Sequence, residues 1–285
     1  MPKESIIIES EAELCLRNNQ LKIKLINKDE EYSRPIEDIH IIIIDHHSVH
    51  LTIPLINTLA QNNVAVVFCN EHHYPTTMLM DLESNHLQTK YFRFQIDASK
   101  PLKKQLWKRI VERKIINQSK LLSELGIGKD LLKNYYSNVK SGDSTNREGA
   151  AAKVYWKYLL GSNFVRERDG MPPNNLLNYG YALLRSYMCR AIMNSGLLPI
   201  IGIFHKSYYN SFPLSDDLIE PYRPYIDRKV YSLVKQGNMA LNKSVKGEFF
   251  EMFYNELKYK NFTSTTSSLA QIFVGDEDNL WFPTI

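Results

Sequence analysis

Residues 39–44 read IHIIII and residues 64–69 read VAVVFC. Apolar runs this short and this unbroken are typical of strands buried on both faces. Between them, Leu55, Ile56, Leu59 and Ala60 recur at helical spacing and predict a helix over Thr52–Asn62. Towards the N-terminus, Ser5–Ile8 is a β-branched run. Leu14–Arg17 and Leu21–Leu25 flank Asn18-Asn19, a pair that tolerates the positive φ of a tight hairpin. Tyr74–Met80 reads as a last strand. The expectation is a β-rich domain over residues 1–82, a small sheet with one covering helix. One helix covers one face only, so the same reading predicts an uncovered face that a second copy of the chain would fill, making a homodimer.

From about Asn85 the pattern becomes helical and stays so. The fold class expected is therefore α+β, with a larger all-α domain over residues 83–285. Its longest helix is predicted over Ser99–Leu125, capped by Ser99 and ended by Gly126. That segment carries Lys100, Lys103, Lys104, Lys108, Arg109, Arg113, Lys114 and Lys120 against Glu112, which reads either as a solvated face or as a surface for a polyanion. Helices follow over TNREGAAAKVYWKYLL and Asn174–Gly196, separated by a loop, Ser162–Pro173, that holds Arg166 and Arg168. Weaker candidates are Glu248–Leu257 and Ser267–Phe273, and the last residues, DEDNLWFPTI, show no usable period.

With 285 residues, 44% hydrophobic and 23% charged, the chain is long enough for a real core and has the balance of a globular protein. The net charge of +4 is too small to imply nucleic acid by itself. Cys15, Cys69 and Cys189 form no CxxC pair, so neither a zinc ribbon nor a disulfide framework is supported. No apolar run is long enough for a membrane span, and no signal-peptide layout is present, so a cytoplasmic protein is expected. His46, His47, His72 and His73 suggest zinc at first sight. Adjacent strand residues face opposite ways, however, and histidines at strand ends or an interface are the better reading.

The chemistry-bearing stretch is Leu197–Tyr225, LLPIIGIFHKSYYNSFPLSDDLIEPYRPY. An apolar run delivers His205 into a polar, aromatic segment. Ser215 is expected to open a helix with Asp216 and Asp217 in its first turn. Glu220, three residues beyond Asp217, shares its face. A histidine and two carboxylates can hold a hard or borderline divalent ion. A third acid, Glu148, lies in Thr145-Asn146-Arg147-Glu148, which from spacing alone is better read as a capping box. Asp216 and Asp217 alternatively complement the helix dipole, and His205 is alternatively structural.

The strings TNREGAAAKVYW, LNYGYALLRSYMCRAIMNSGL and GIFHKSYYNSFPLSDDLIEPYRP, with VVFCNEHHYPTTML before them, resemble the CRISPR adaptation integrase, the first-numbered CRISPR-associated protein. The subgroup most resembled accompanies the single RNA-guided nuclease of type II systems. The resemblance implies a role in antiviral defence and a β-domain followed by an α-domain. It implies a homodimer working with the small second-numbered adaptation protein, and an association with the type II nuclease. It also implies a divalent ion, Mg²⁺ or Mn²⁺, held by Glu148, His205 and Glu220, with Asp217 supporting them.

The reaction implied is transesterification, in which the 3′-hydroxyl of captured DNA attacks a repeat edge. Candidate phosphate contacts are Arg147, Arg166, Arg168, Lys206 and Arg223, and the Ser99–Leu125 helix is a further one. Tyr208 and Tyr209 are read either as stacking on frayed bases or as core. Two other functions remain open on sequence: a nuclease using the same ligands with water as nucleophile, and a DNA-binding subunit without catalysis.

Overall fold

The computed structural model describes residues 4–28, 30–79, 83–167 and 170–285. The chain divides into two compact units, Met1–Ser84 and Asn85–Ile285. The first is built on strands and the second on helices, the expected α+β order.

In the first unit, strands β1 (Glu4–Ile8), β2 (Ala12–Arg17), β3 (Gln20–Leu25), β4 (Glu30–Pro35), β5 (Ile39–Ile44) and β6 (Val49–Leu51) precede helix α1 (Ile53–Gln61), β7 (Ala65–Cys69) and β8 (Pro75–Leu79). They form two four-stranded sheets, ordered β1-β5-β7-β8 and β4-β3-β2-β6. Asn18 and Asn19 have φ of 52° and 56°, the left-handed pair a two-residue hairpin requires, and set Arg17 opposite Gln20. Ile42, Ile44 and Val66 share a core with Leu14, Leu21 and Ile23 of the second sheet and with Leu55 and Leu59 of α1. The alternate residues Ile41, Ile43 and Val67 are buried as well.

The expectation of a single sheet with a bare face is thereby corrected, and the argument for a dimer from missing cover loses its premise. Two strands escaped the sequence reading for physical reasons. β4 is EEYSRP, mostly exposed and without a buried face, and β6 is only three residues long. The histidines lie apart from any cluster: His46 stacks on His47, and His73 Nδ1 lies 2.8 Å from Asp45 Oδ1. Met80, at the end of the expected last strand, and Leu82, at the expected domain boundary, lie outside the described residues.

The second unit contains α2 (Gln88–Asp97), α3 (Lys100–Glu124), α4 (Lys133–Tyr136), α5 (Arg147–Leu160), α6 (Asn174–Asn194), α7 (Pro213–Ile219), α8 (Arg223–Lys235), α9 (Lys243–Met252) and α10 (Tyr259–Val274). Ser99 caps α3, its side chain accepting from the Leu102 amide at 3.3 Å. A stripe of Trp107, Ile110, Val111, Ile115, Leu121 and Leu122 is buried, which makes α3 a core helix. Several of its cations are used inside the fold. Arg109 donates to the Asp278 carbonyl, Arg113 to Thr284 Oγ1 at 2.7 Å, and Lys108 pairs with Glu112 at 3.5 Å. Lys114 is buried. Lys100, Lys104 and Lys120 stay exposed.

The aperiodic tail is also anchored. Leu280 and Phe282 are buried, and the Asn117 amide donates both to the Pro221 carbonyl (2.8 Å) and to the Pro283 carbonyl (3.2 Å).

The start of α5 differs from the capping box expected there. Thr145 is not the cap. Asn146, in a left-handed conformation, accepts from the Gly149 amide at 3.1 Å. Asp143 accepts from the Arg147 amide at 2.8 Å and the Glu148 amide at 3.0 Å. The Glu148 side chain is therefore released from capping. Replacing Asp143 by alanine is expected to cost about 1–2 kcal/mol, the usual worth of an N-terminal cap. Urea unfolding measures this, and an unchanged midpoint with unchanged slope would show that the carboxylate contributes nothing to the helix start.

Candidate active site

Acids from two other elements converge on one buried ammonium of α3. Lys114 of α3 lies on the apolar stripe, four residues after Ile110 and one before Ile115. Its Nζ donates to Glu148 Oε1 at 2.6 Å and lies 2.5 Å from Glu220 Oε2. Glu220 begins a 3-10 turn, Glu220–Tyr222, between α7 and α8, and its other oxygen lies 2.9 Å from Arg223 Nε. Glu220 Oε2 and Arg223 Nε lack an aligned hydrogen bond in spite of these short charge contacts. Burial works against the Lys114 charge, but Glu220 and Glu148 outweigh it and hold the ammonium protonated. Burial likewise opposes ionisation of Glu220, and Arg223 and Lys114 override it, keeping that carboxyl well below the ordinary range. Of the two acids, Glu148 is the more open, with 25% of its side chain exposed against 6% for Glu220.

His205 is fixed by a separate device. Asp217, fully buried, accepts from the backbone amides of Ile203 (2.6 Å), Phe204 (3.0 Å) and His205 (3.2 Å), and its Oδ1 lies 2.6 Å from His205 Nδ1. That contact raises the His205 pKa above its ordinary value, against burial. With Nδ1 engaged, Nε2 is the nitrogen left to serve a ligand. Trp107 stacks on Phe204 at 4.2 Å and meets the His205 ring edge-on at 5.7 Å. Gly202 permits the turn, because a Cβ there would stand 2.5 Å from the His205 carbonyl oxygen.

Neither acid of the first turn is spent on the helix dipole as such. Asp216 is paired with Arg185 at 2.7 Å and accepts from Asn210 at 2.8 Å. The helix itself opens at Pro213, two residues before the expected Ser215. Here the proline supplies a preset φ for the first turn.

The cationic candidates have separate fates. Arg223 is held by Glu220 and lies over the Tyr181 ring at 4.4 Å. Arg166 donates to Asn174 (3.0 Å) and Asn178 (2.6 Å) and lies over the same ring at 5.3 Å. Arg147 is half-buried with its Nε unpartnered. Lys206 is exposed and close enough to Lys103 to help lower the latter's pKa, which burial depresses first. Tyr208 and Tyr209 are fully exposed, which removes the core reading for both. Arg168 lies outside the described residues.

Trp107, Tyr181 and Asp227 were not singled out from sequence, and Lys114 was named only among the cations of a solvated or polyanion-facing helix, which its burial between two acids corrects. Lys114 left a signal all the same: a lysine on the apolar stripe of a core helix needs a buried acid.

The chemistry of this donor set fits a divalent cation. Two carboxylates already meet at one cationic point, Glu220 Oε2 has no aligned donor, and the His205 loop adds an imidazole, all residue types that a divalent ion takes. Among the described residues, no three His, Cys, Asp or Glu side chains stand close enough to enclose an ion. It is the Lys114 ammonium that occupies the point between the acids.

Comparison with known proteins agrees with the arrangement of these elements. The family described as CRISPR associated protein Cas1 matches residues 6–264. The chain belongs to the Cas1 family. A CRISPR-associated endonuclease Cas1 of Neisseria meningitidis serogroup C is 38% identical over 241 residues, covering 84% of this chain and 78% of the relative. Among solved structures, a casposase bound to its integration product superposes with a TM-score of 0.80 at 23% identity, covering 97% of this chain and 92% of the other. A chain from a Cas6-RT-Cas1–Cas2 complex gives 0.73 at 16% identity, covering 98% of this chain and 36% of that one. At these identities the two structures speak for the fold.

Behind the acid pair of this Cas1-family chain, Asp227 of α8 accepts from Tyr155 at 2.7 Å and from Tyr181. Burial pushes its carboxyl up to about 6, against the two phenols and Arg223. Below about pH 4 the folded and unfolded chains both carry the proton. As pH rises towards 6 the unfolded chain ionises first, so this group removes stability. The loss is on the order of 3 kcal/mol and complete above pH 6. The difference in unfolding free energy between wild type and Asp227→Asn should therefore change between pH 4 and pH 6 and level off above. A difference constant across that range contradicts the buried-acid account.

Proposed function

We infer that this chain is a divalent-metal-dependent DNA integrase and endonuclease of CRISPR adaptation, inserting short captured DNA into the repeat array by transesterification. The observation that carries the reading is the meeting of Glu148 and Glu220 at one cationic point in a chain of the Cas1 family, whose His205 imidazole is separately fixed by Asp217. In the reaction, the 3′-hydroxyl oxygen of the captured strand bonds to phosphorus at the repeat edge. The bond from that phosphorus to the neighbouring 3′-oxygen breaks, and the attacking hydroxyl's proton is balanced by one taken up at the leaving oxygen. One phosphodiester replaces another, so no nucleotide cofactor is required.

Glu148, His205 and Glu220 would hold Mg²⁺ or Mn²⁺, and Asp217 keeps His205 in the tautomer with Nε2 free. The ion, when bound, supplies charge to offset the five-coordinate phosphorane-like transition state. Imidazole in the donor set favours Mn²⁺ over Mg²⁺. Glu148 and Glu220 are already balanced in charge by Lys114 and Arg223. An added dication leaves a positive excess that suits a phosphodiester.

Phosphates along the DNA fall to Lys206, Lys103 and Arg147, and Arg168 completes the candidates. Arg166 and Arg223 act inside the protein. Tyr208 and Tyr209 offer faces for unpaired bases. The small second adaptation protein, Cas2, is the proposed partner, as in the complex that contains a chain of this fold. The homodimer and the contact with a type II nuclease rest on the family pattern alone.

Glu148→Gln, His205→Ala and Glu220→Gln should each abolish strand transfer into supercoiled repeat DNA and remain folded by circular dichroism. Wild-type rates in folded Glu148→Gln would sink the assignment. Relaxed or nicked repeat DNA with no joined fragment would identify hydrolysis, the nuclease reading. Persistence of all DNA processing in chelator would exclude the metal.

Binding of captured duplex should weaken steeply with salt. Each phosphate neutralised adds about 0.9 to the slope of log affinity against log salt. A slope near zero in fluorescence anisotropy contradicts a phosphate-tracking surface.

A further inference from the structure

The geometry points to Lys114 as the internal cation with which a divalent ion must compete for Glu148 and Glu220. This rests on the metal reading of those acids given above. Lys114 is a positioning residue: it holds two like charges together before any ion arrives, and its departure from them sets how tightly the ion binds.

Three observations carry this. The ammonium touches one oxygen of each acid, at 2.6 and 2.5 Å. Without it, two carboxylates would face each other with only Arg223 nearby, and Arg223 reaches Glu220 through its other oxygen. Lys114 is also the only cation among the described residues paired with both Glu148 and Glu220. A buried acid pair of this kind repels unless a cation is shared between its members. An ammonium does that work with hydrogen bonds that can be broken and remade, on a flexible four-carbon stem able to swing away. The half-open Glu148 gives the approach, since its side chain is the most exposed of the three groups. An ion entering there exchanges with the ammonium at the same two oxygens, and part of its binding energy goes into the exchange.

The test uses the full chain without DNA. Mn²⁺ is titrated into wild type, Lys114→Met, Glu148→Gln and Glu220→Gln, and free Mn²⁺ is read by electron paramagnetic resonance. Lys114→Met, a near-isosteric side chain without charge, is expected to bind Mn²⁺ at least about tenfold tighter than wild type, the yield of about 1.4 kcal/mol no longer spent on exchange. It should also melt lower than wild type in chelator and gain more on adding Mn²⁺. An unchanged or weaker Mn²⁺ affinity in folded Lys114→Met overturns the proposal.

Should that variant not fold in chelator, wild type supplies the second measurement. Acylation of Lys114, followed by peptide mass spectrometry, should rise several-fold when Mn²⁺ is bound. Labelling that stays flat at saturating Mn²⁺ overturns the proposal equally. Glu148→Gln and Glu220→Gln separate the two failures. If both bind Mn²⁺ as wild type does, the metal reading of the acids falls and the competition falls with it. If both lose Mn²⁺ while Lys114→Met gains nothing, the competition alone is wrong.

Discussion

The second unit depends on an ion triplet, Lys114 between Glu148 and Glu220. Burying these three groups costs solvation that only their mutual attraction can offset, so each constrains the other two. The consequence is architectural. α3, α5 and the turn before α8 come from distant parts of the chain, and the triplet fixes their closest approach. Around it the apolar stripe of α3 supplies ordinary packing, with Trp107 extending that packing to the His205 loop. The site is a polar inclusion in a hydrophobic seam, stabilised because its charges sum to nearly nothing.

The two halves of the site are secured in contrasting ways. Asp217 spends both oxygens on three successive backbone amides and one imidazole, so the histidine loop has little freedom. Hydrogen bonds from backbone to a buried carboxylate are charge-assisted and directional. Glu148 is held at its backbone by Asp143, while its carboxylate meets Lys114 and keeps access to solvent. The imidazole is thus fixed while the Glu148 carboxylate keeps some freedom. Behind them, Arg223 is gripped by Glu220 on one side and by the face of Tyr181 on the other, and Tyr181 is in turn anchored on Asp227.

Much of this was legible in the sequence where a single local rule governed. The Asn18-Asn19 hairpin, the limits of β5 and the cap of α3 at Ser99 each follow from one residue preference or one period. The α+β order was legible for the same reason. Errors arose where a long-range partner overrode a local rule. Thr145 and Glu148 satisfy the spacing of a capping box, but Asp143 and Asn146 take the amides and Lys114 takes the carboxylate. The cations of α3 looked like one surface because charge was counted without phase, and helical phase puts Lys114 inside. The second sheet was missed because β4 has almost no buried face to betray it. His205, Glu220 and Asp217 were visible as a motif, whereas which acid held which group was not, because residues three apart on a helix need not share a partner.

Asn117 has a bearing on how this protein is handled as a reagent. One amide holds both the carbonyl of Pro221, the neighbour of Glu220, and the carbonyl of Pro283. The segment carrying Leu280 and Phe282 is thus a strut behind the acid rather than spare chain. Deleting residues 280–283 removes that strut, and a label placed on that segment has to leave the Asn117 contacts intact.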